Sequence, residues 1–202
     1  MPHDIPRSEL TQAPAELARF PGRDFRTLWV AVFVSQIGSA VTLVAVPLIA
    51  VVVLHATPGQ MSLVAAADMV PSFLARVPVA AWSDRVLRRV PTMVACNLAQ
   101  ATAIGLVPLL WWRGALTLPA LLAVVACSSL LLGAYGSLAS PVVVTLVPPE
   151  HLVTANGRMS ATHSVADVGG AGLAGLLLAA LAAPVVVLVD AVSFVVSALL
   201  LT

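Results

Sequence analysis

Six long apolar segments fill the sequence from residue 27 to the end, and they restrict the possible folds more than any other feature. Several run without a charge for longer than the ~18–20 residues that mark a membrane span. Hydrophobic residues make up 60% of the chain and charged residues 9%. A fold in water would therefore lack the polar surface needed to cover its core. The sequence predicts an all-α membrane protein.

Prolines and glycines divide the apolar region into six predicted transmembrane helices. A polar, proline-punctuated segment over residues 1–25 precedes them and is predicted to be cytoplasmic. The first apolar run is too long for the core of a cleaved secretory signal, so it is interpreted as a retained helix. The six-helix bundle covers residues 26–202, with helices expected at about 27–54, 60–83, 91–112, 118–147, 153–182 and 185–202.

The arginines are distributed unequally between the two ends of these helices. All ten basic residues are Arg. Eight of them fall in the N-terminal segment, the loop after the second helix and the start of the fifth helix, whereas the opposite side holds only Arg113. Cytoplasmic loops of membrane proteins carry the excess of basic residues. Both termini are therefore predicted to be cytoplasmic.

Two charged residues lie inside the second helix. A charge at the centre of a membrane helix costs roughly 2.5–3.5 kcal/mol, so Asp68 and Arg76 each need a partner, a cavity or an interface. They are eight residues apart, too far along one helix to pair with each other. Both are candidates for a cavity or proton-coupling role. The alternatives are a protonated Asp68 bonded across helices and an Arg76 that extends to the cytoplasmic interface.

The fifth helix carries His163 and Asp167 four residues apart, which places them on one face. Such a pair suits a proton relay because histidine titrates near neutral pH. The alternative is a polar stripe at the wet end of the helix. Asp190 is interpreted as an acid in the first turn of the sixth helix. Four glycines of the fifth helix predict close helix packing: Gly169, Gly170, Gly172 and Gly175.

The sequence offers no pattern of catalytic residues, so an enzyme is not predicted. It also lacks clustered Cys and His at metal-ligand spacing, and no cofactor is expected. The formal net charge of +1 gives no reason to expect nucleic acid as a partner. The expected partners are membrane lipid and a small molecule.

The loop after the second helix resembles the corresponding loop of the major facilitator superfamily, which reads roughly G-x-x-x-D-R-x-G-R-R. Its charged positions match Asp84, Arg85, Arg88 and Arg89, whereas Ala80 and Leu87 replace the two glycines. The stretches 152–158, 169–175 and 190–197 resemble helices 5 and 6 of bacterial drug- and siderophore-type exporters. That branch is related to macrolide and enterobactin efflux proteins.

This resemblance implies the N-terminal six-helix bundle of the major facilitator fold, built as 3+3 inverted repeats. It implies an exporter-type secondary transporter that moves a small amphipathic molecule across the bacterial inner (plasma) membrane, linked to protons. Asp84 would latch the cytoplasmic gate, with Arg85, Arg88 and Arg89 as its basic partners. The family has twelve helices in two halves, so a second six-helix half or a homodimer is an expected partner.

The sequence departs from the exporter pattern at two positions. Those exporters usually carry an acid soon after a glycine of helix 1, but here Ser39 follows Gly38. Gln100 stands where an arginine is common. The two departures imply that the proton-coupling residues are either missing or displaced onto Asp68, Asp167 or His163. The alternative function is a truncated or vestigial membrane fragment with a structural role and no transport by itself.

Overall fold

The computed structural model describes residues 22–83 and 89–202, and the described chain is built of helices joined by short turns. The helices are α1 (Arg23–Leu48), α2 (Pro58–Ser83), α3 (Arg89–Trp112), α4 (Leu118–Leu146), α5 (Leu152–Ala180), α6 (Ala183–Val186) and α7 (Leu188–Leu200). A π turn over Ile49–Val53 extends α1, and a 3-10 turn over Pro149–His151 precedes α5. The sixth span consists of α6 and α7 together. The chain is all-α, as predicted.

The turns between helices follow from local residue chemistry. Thr57 and Gln60 form a reciprocal capping box at the start of α2: the Thr57 amide donates to the Gln60 side chain at 2.8 Å, and the Gln60 amide donates to the Thr57 hydroxyl at 3.4 Å. Thr117 caps α4 by accepting from the Ala120 amide at 3.4 Å. Gly114 adopts a φ of +64° in the turn before it, which glycine tolerates without strain.

The helix packing has the pattern of two inverted repeats. Helix α1 packs on α5 and on the sixth span, whereas α4 packs on α2 and on α3. Exchanging the first three spans for the last three converts one set of contacts into the other. The remaining contact, between α3 and α7, maps onto itself. This arrangement is the 3+3 bundle that the sequence predicted.

Two apolar clusters occupy opposite ends of the bundle. One joins the start of α1, α3 and α5 to the end of α4, and includes Phe25, Met93, Val143 and Ala155. The other joins the end of α1 to the start of α4 and the sixth span, and includes Ile49, Leu121 and Val186. Successive long helices therefore run in opposite directions. Their described arginines lie toward the first end, apart from one in the turn at the other end: Arg23, Arg26, Arg76, Arg89 and Arg158, against Arg113.

Five of the described helices are long and apolar enough to cross a membrane. They are α1 with its π turn, α3, α4, α5 with the preceding 3-10 turn, and the sixth span. Helix α2 is not among them, although its 26 residues would extend about 39 Å. It carries Asp68 and Arg76 and packs along α4 within the bundle. The sixth predicted crossing thus depends on α2.

With the π turn counted as part of α1, the helix bounds differ from the expected ones by up to four residues. The largest difference is at α1, which begins at Arg23 rather than near residue 27. Phe25 lies inside this first turn and is 1% exposed. Phe25 therefore packs into the bundle although it precedes the predicted first helix, whereas Arg23 and Asp24 beside it are exposed.

Candidate functional site

A cavity of about 420 Å³ opens mainly among α1, α2, α3 and α4, and α5 and α7 each contribute one residue to its lining. Apolar side chains of α1, α2 and α4 form most of its wall, including Leu43, Val46 and Leu132. Polar groups are fewer and come from several helices. Concave, mostly apolar pockets of ~300–1,000 Å³ with a few placed polar groups are typical sites for small molecules.

Asp190 is the most buried acid at this cavity. It lies in the first turn of α7 and is 2% exposed. Its Oδ1 accepts long hydrogen bonds from the Ser39 hydroxyl at 3.5 Å and the Ser193 hydroxyl at 3.4 Å, and the Thr42 hydroxyl also lies beside the carboxyl. Ser193 donates more closely to the Asp190 carbonyl, at 2.8 Å. The carboxyl is therefore surrounded by hydroxyls but bound firmly by none of them.

Gly38 creates the space that Asp190 occupies. A Cβ built at position 38 would overlap Ser193 Oγ, and it would lie 2.7 Å from Asp190 Oδ1 and 2.8 Å from Ser193 Cβ. Any larger residue on α1 would push α7 away. The glycine thus brings the acid from the sixth span against α1, next to Ser39.

Asp68 reaches the same cavity from α2. The Ser129 hydroxyl of α4 donates to its Oδ1 at 2.8 Å. This bond crosses the α2–α4 contact, where Gly133 lets the two backbones approach until a Cβ would overlap the Ser72 carbonyl oxygen. Asp68 thus lines the cavity and bonds to a neighbouring helix, while its role in proton coupling stays a prediction.

Gln100 of α3 lines the cavity with unmet hydrogen-bonding capacity. Its side chain is fully buried, and neither amide atom has a partner among the described residues. Each unsatisfied buried polar group costs about 1–3 kcal/mol. Asn97, one turn earlier, differs because its amide donates to the Ser197 hydroxyl at 2.9 Å. The Gln100 amide is therefore a hydrogen-bonding group at the cavity wall whose donor and acceptor are both unsatisfied among the described residues.

His163 and Asp167 are not joined to each other by a hydrogen bond or an ion pair within residues 22–83 and 89–202. His163 Nδ1 instead contacts the Gln36 amide of α1. Gln36 and Asp167 both line the cavity, whereas His163 lies beside it. The i, i+4 spacing placed the two side chains on one face, but the neighbouring helix provided the closer partner.

Arg76 is exposed in the second half of α2 and is not among the residues that line the cavity. Arg89 begins α3. Asp84, Arg85 and Arg88 lie outside the described residues. The gate motif therefore stays a prediction from the sequence.

Of the four glycines predicted to allow close helix packing, one makes such an approach within the described bundle. A Cβ at Gly170 would overlap Ala40 and lie 3.1 Å from the Ile37 carbonyl oxygen, so Gly170 sits where α5 crosses α1. A Cβ at any of the other three would meet nothing within 4 Å: Gly169, Gly172 and Gly175. Only one face of α5 contacts α1, and these three lie off that face.

The sequence analysis missed two cavity residues and undervalued a third. Gln36 was not singled out, and Gln100 was noted only as a departure from a family pattern. Asp190 was interpreted as a first-turn acid, and it does lie in the first turn of α7. That interpretation does not explain why its side chain is buried. The sequence feature that could have indicated its burial is Gly38 followed by Ser39 on α1, because a glycine leaves space for an acid from another helix.

The described residues contain no group of three or more His, Cys, Asp or Glu side chains placed to hold a metal ion.

A family model described as Major Facilitator Superfamily matches residues 28–202. The chain belongs to the Major Facilitator Superfamily. No curated protein and no solved structure matches it. The match covers every described long helix, and membership makes this Major Facilitator chain a multi-pass membrane transport protein of a family that is generally not enzymatic.

Proposed function

We propose that this chain forms the N-terminal half of an exporter-type secondary transporter. It would move a small amphipathic molecule across the bacterial plasma membrane, driven by protons, with both termini in the cytoplasm. The observation that carries the proposal is the cavity, because its apolar wall and few polar groups suit an amphipathic ligand. The alternative of a vestigial fragment is less favoured, since the whole bundle matches a family of transporters.

Proton linkage is supported by the acids at the cavity. Asp68, Asp167 and Asp190 reach it from three different helices. Ionisable groups inside a membrane bundle commonly mark ion pathways and proton relays. His163 touches the cavity wall through Gln36 and would join such a relay from the side.

The cytoplasmic gate is proposed to form at the arginine-rich end. Asp84 would latch it by pairing with Arg85, Arg88 and Arg89. A carboxylate–guanidinium bond at a partly exposed helix end is strong enough to hold a gate yet weak enough to break during each cycle.

The cavity needs a second wall for alternating access. In transporters built from repeats, the substrate site lies between two halves that rock about it. Either a second six-helix half or a second copy of this chain would supply that wall. Crosslinking in native membranes distinguishes the two.

An accumulation assay in whole cells tests the proposal. Cells that express the chain, with and without a second half, are loaded with a fluorescent amphiphile. Expression should lower accumulation, and a protonophore should restore it. Ser128→Trp, which fills the cavity, should abolish export. Ser140→Trp is the matched control, since Ser140 lies on the same helix but is exposed. Equal export by the two variants would contradict the assignment of the cavity.

A further inference from the structure

We infer that the substrate of this cavity is an organic cation with an apolar body and a hydrogen-bonding group. The inference rests on the proposed function and narrows its substrate class. It begins from the charges at the cavity wall. Three carboxylates line the cavity, and none of its described lining residues is Arg, Lys or His.

These carboxylates lack a basic partner in the described part of the bundle. Asp68 accepts from the Ser129 hydroxyl, and the neighbours of Asp190 at hydrogen-bonding range are uncharged hydroxyls. Neither they nor Asp167 forms an ion pair there. Two nearby bases are placed elsewhere: Arg76 is exposed on α2, and His163 contacts Gln36. A cation entering the cavity would stabilise the ionised form of these carboxyl groups, which no described basic side chain pairs with, whereas an anion would find no positive charge there.

Gln100 supplies an independent indication of a ligand. Its fully buried side chain lines the cavity, and both amide atoms lack a hydrogen-bond partner among residues 22–83 and 89–202. Buried polar groups are nearly always paired in folded proteins. Its carbonyl oxygen suits an N–H or O–H donor, and its amide nitrogen suits an acceptor. A ligand with such a group would complete this bonding.

The rest of the wall defines the ligand's body. Leu43, Val46, Val64 and Ile104 present aliphatic surface, and Met61 and Met69 add flexible thioethers. Methionine adapts to irregular apolar shapes and packs well on aromatic rings. An aryl or alkyl ammonium of moderate size fits this combination of charge and apolar surface.

Direct binding to the purified full chain separates charge from shape. Radiolabelled tetraphenylphosphonium is bound in detergent, and competition is measured with unlabelled tetraphenylphosphonium and with tetraphenylborate, an anion of the same shape. The cation should compete at least tenfold better than the anion. Equal competition by the two ions would overturn the inference.

Acid-to-amide variants locate the charge. Asp190→Asn and Asp68→Asn should each weaken tetraphenylphosphonium binding on the order of tenfold or more, because each removes a partner of the bound charge. Glu150→Gln is the matched control: it removes an exposed acid beyond the end of α4 and should change nothing. Gel filtration checks folding, and two separate acids keep the test valid if one variant misfolds. Unchanged binding by folded variants of both would overturn the inference.

Gln100→Leu separates the hydrogen-bonding claim from the charge claim. Ethidium carries a cationic ring and amino groups, whereas tetraphenylphosphonium has no hydrogen-bond donor. The variant should weaken ethidium binding several-fold and leave tetraphenylphosphonium binding intact. Equal effects on both probes would overturn the role of Gln100. If cells exported cations and anions of the same shape equally well, this inference would be refuted but the proposed function would not. If binding depended on the acids but no export occurred, only the proposed function would be refuted.

Discussion

Gly38→Ala tests whether α1 and α7 are held together as closely as the cavity requires. The new Cβ would lie 2.8 Å from Ser193 Cβ, whereas ordinary van der Waals contacts begin at 3.4 Å. The overlap with Ser193 Oγ could be relieved by rotating that hydroxyl, but the contact between the two Cβ atoms could not. The helices would have to separate by about 0.6 Å, the difference between these distances.

The expected change in the free energy of unfolding of Gly38→Ala combines a loss from overpacking with a gain from helix propensity. Inserting a methylene into a well-packed core costs about 1–3 kcal/mol. Alanine gains up to about 1 kcal/mol over glycine from helix propensity. Gly105→Ala is the matched control, since Gly105 also lies within a helix but a Cβ there would meet nothing within 4 Å. The propensity term cancels between the variants, so Gly38→Ala should be about 1–3 kcal/mol less stable than Gly105→Ala.

Thermal unfolding of both purified variants in the same detergent measures this difference. Gly38→Ala should melt several degrees below Gly105→Ala, and its tetraphenylphosphonium binding should fall because Asp190 is displaced. The reasoning would be refuted if the two variants melted together and bound the probe equally. In that case the close approach around Gly38 does not exist in the folded protein.

Three further changes test other parts of the bundle. Gly170→Val should destabilise the chain by about 1–3 kcal/mol in detergent melts, because it enlarges the α1–α5 crossing; Gly169→Val should not, and equal losses would place the crossing elsewhere. Asp84→Asn should abolish export in the accumulation assay while membrane insertion, followed by immunoblotting, is unchanged; full export would remove the latch from the mechanism. His163→Ala should flatten the dependence of export on pH, and a profile identical to the parent's would exclude His163 from proton coupling.

The fold was largely predictable because the bilayer restricts the choices. Apolar runs bounded by Pro-Gly and Pro-Pro pairs placed the long helices within a few residues. The start of α1 was less predictable, since Arg23 and Asp24 read as polar although the next residue, Phe25, is buried against other helices. Burial of that kind depends on the partner helix and not on the local sequence.

The site was predictable only in part. An acid inside an apolar helix is visible in the sequence, so Asp68 could be selected as a cavity residue. Gln36 and Gln100 could not, because an uncharged amide gives no strong signal until its neighbours are known. The same limit explains His163: helical spacing favours Asp167 as its partner, but α1 brings Gln36 closer.

The proposed mechanism requires six membrane crossings, and α2 is the helix whose composition supports a crossing least. If α2 spans the membrane, the arginine loop after it lies on the cytoplasmic side; if it does not, the loop changes sides. Leu87→Cys in a background lacking Cys96 and Cys127 can be labelled with a membrane-impermeant maleimide. We predict labelling only after the cytoplasmic side is opened. Labelling in intact cells would contradict the six-helix bundle, the gate and the proposed mechanism together.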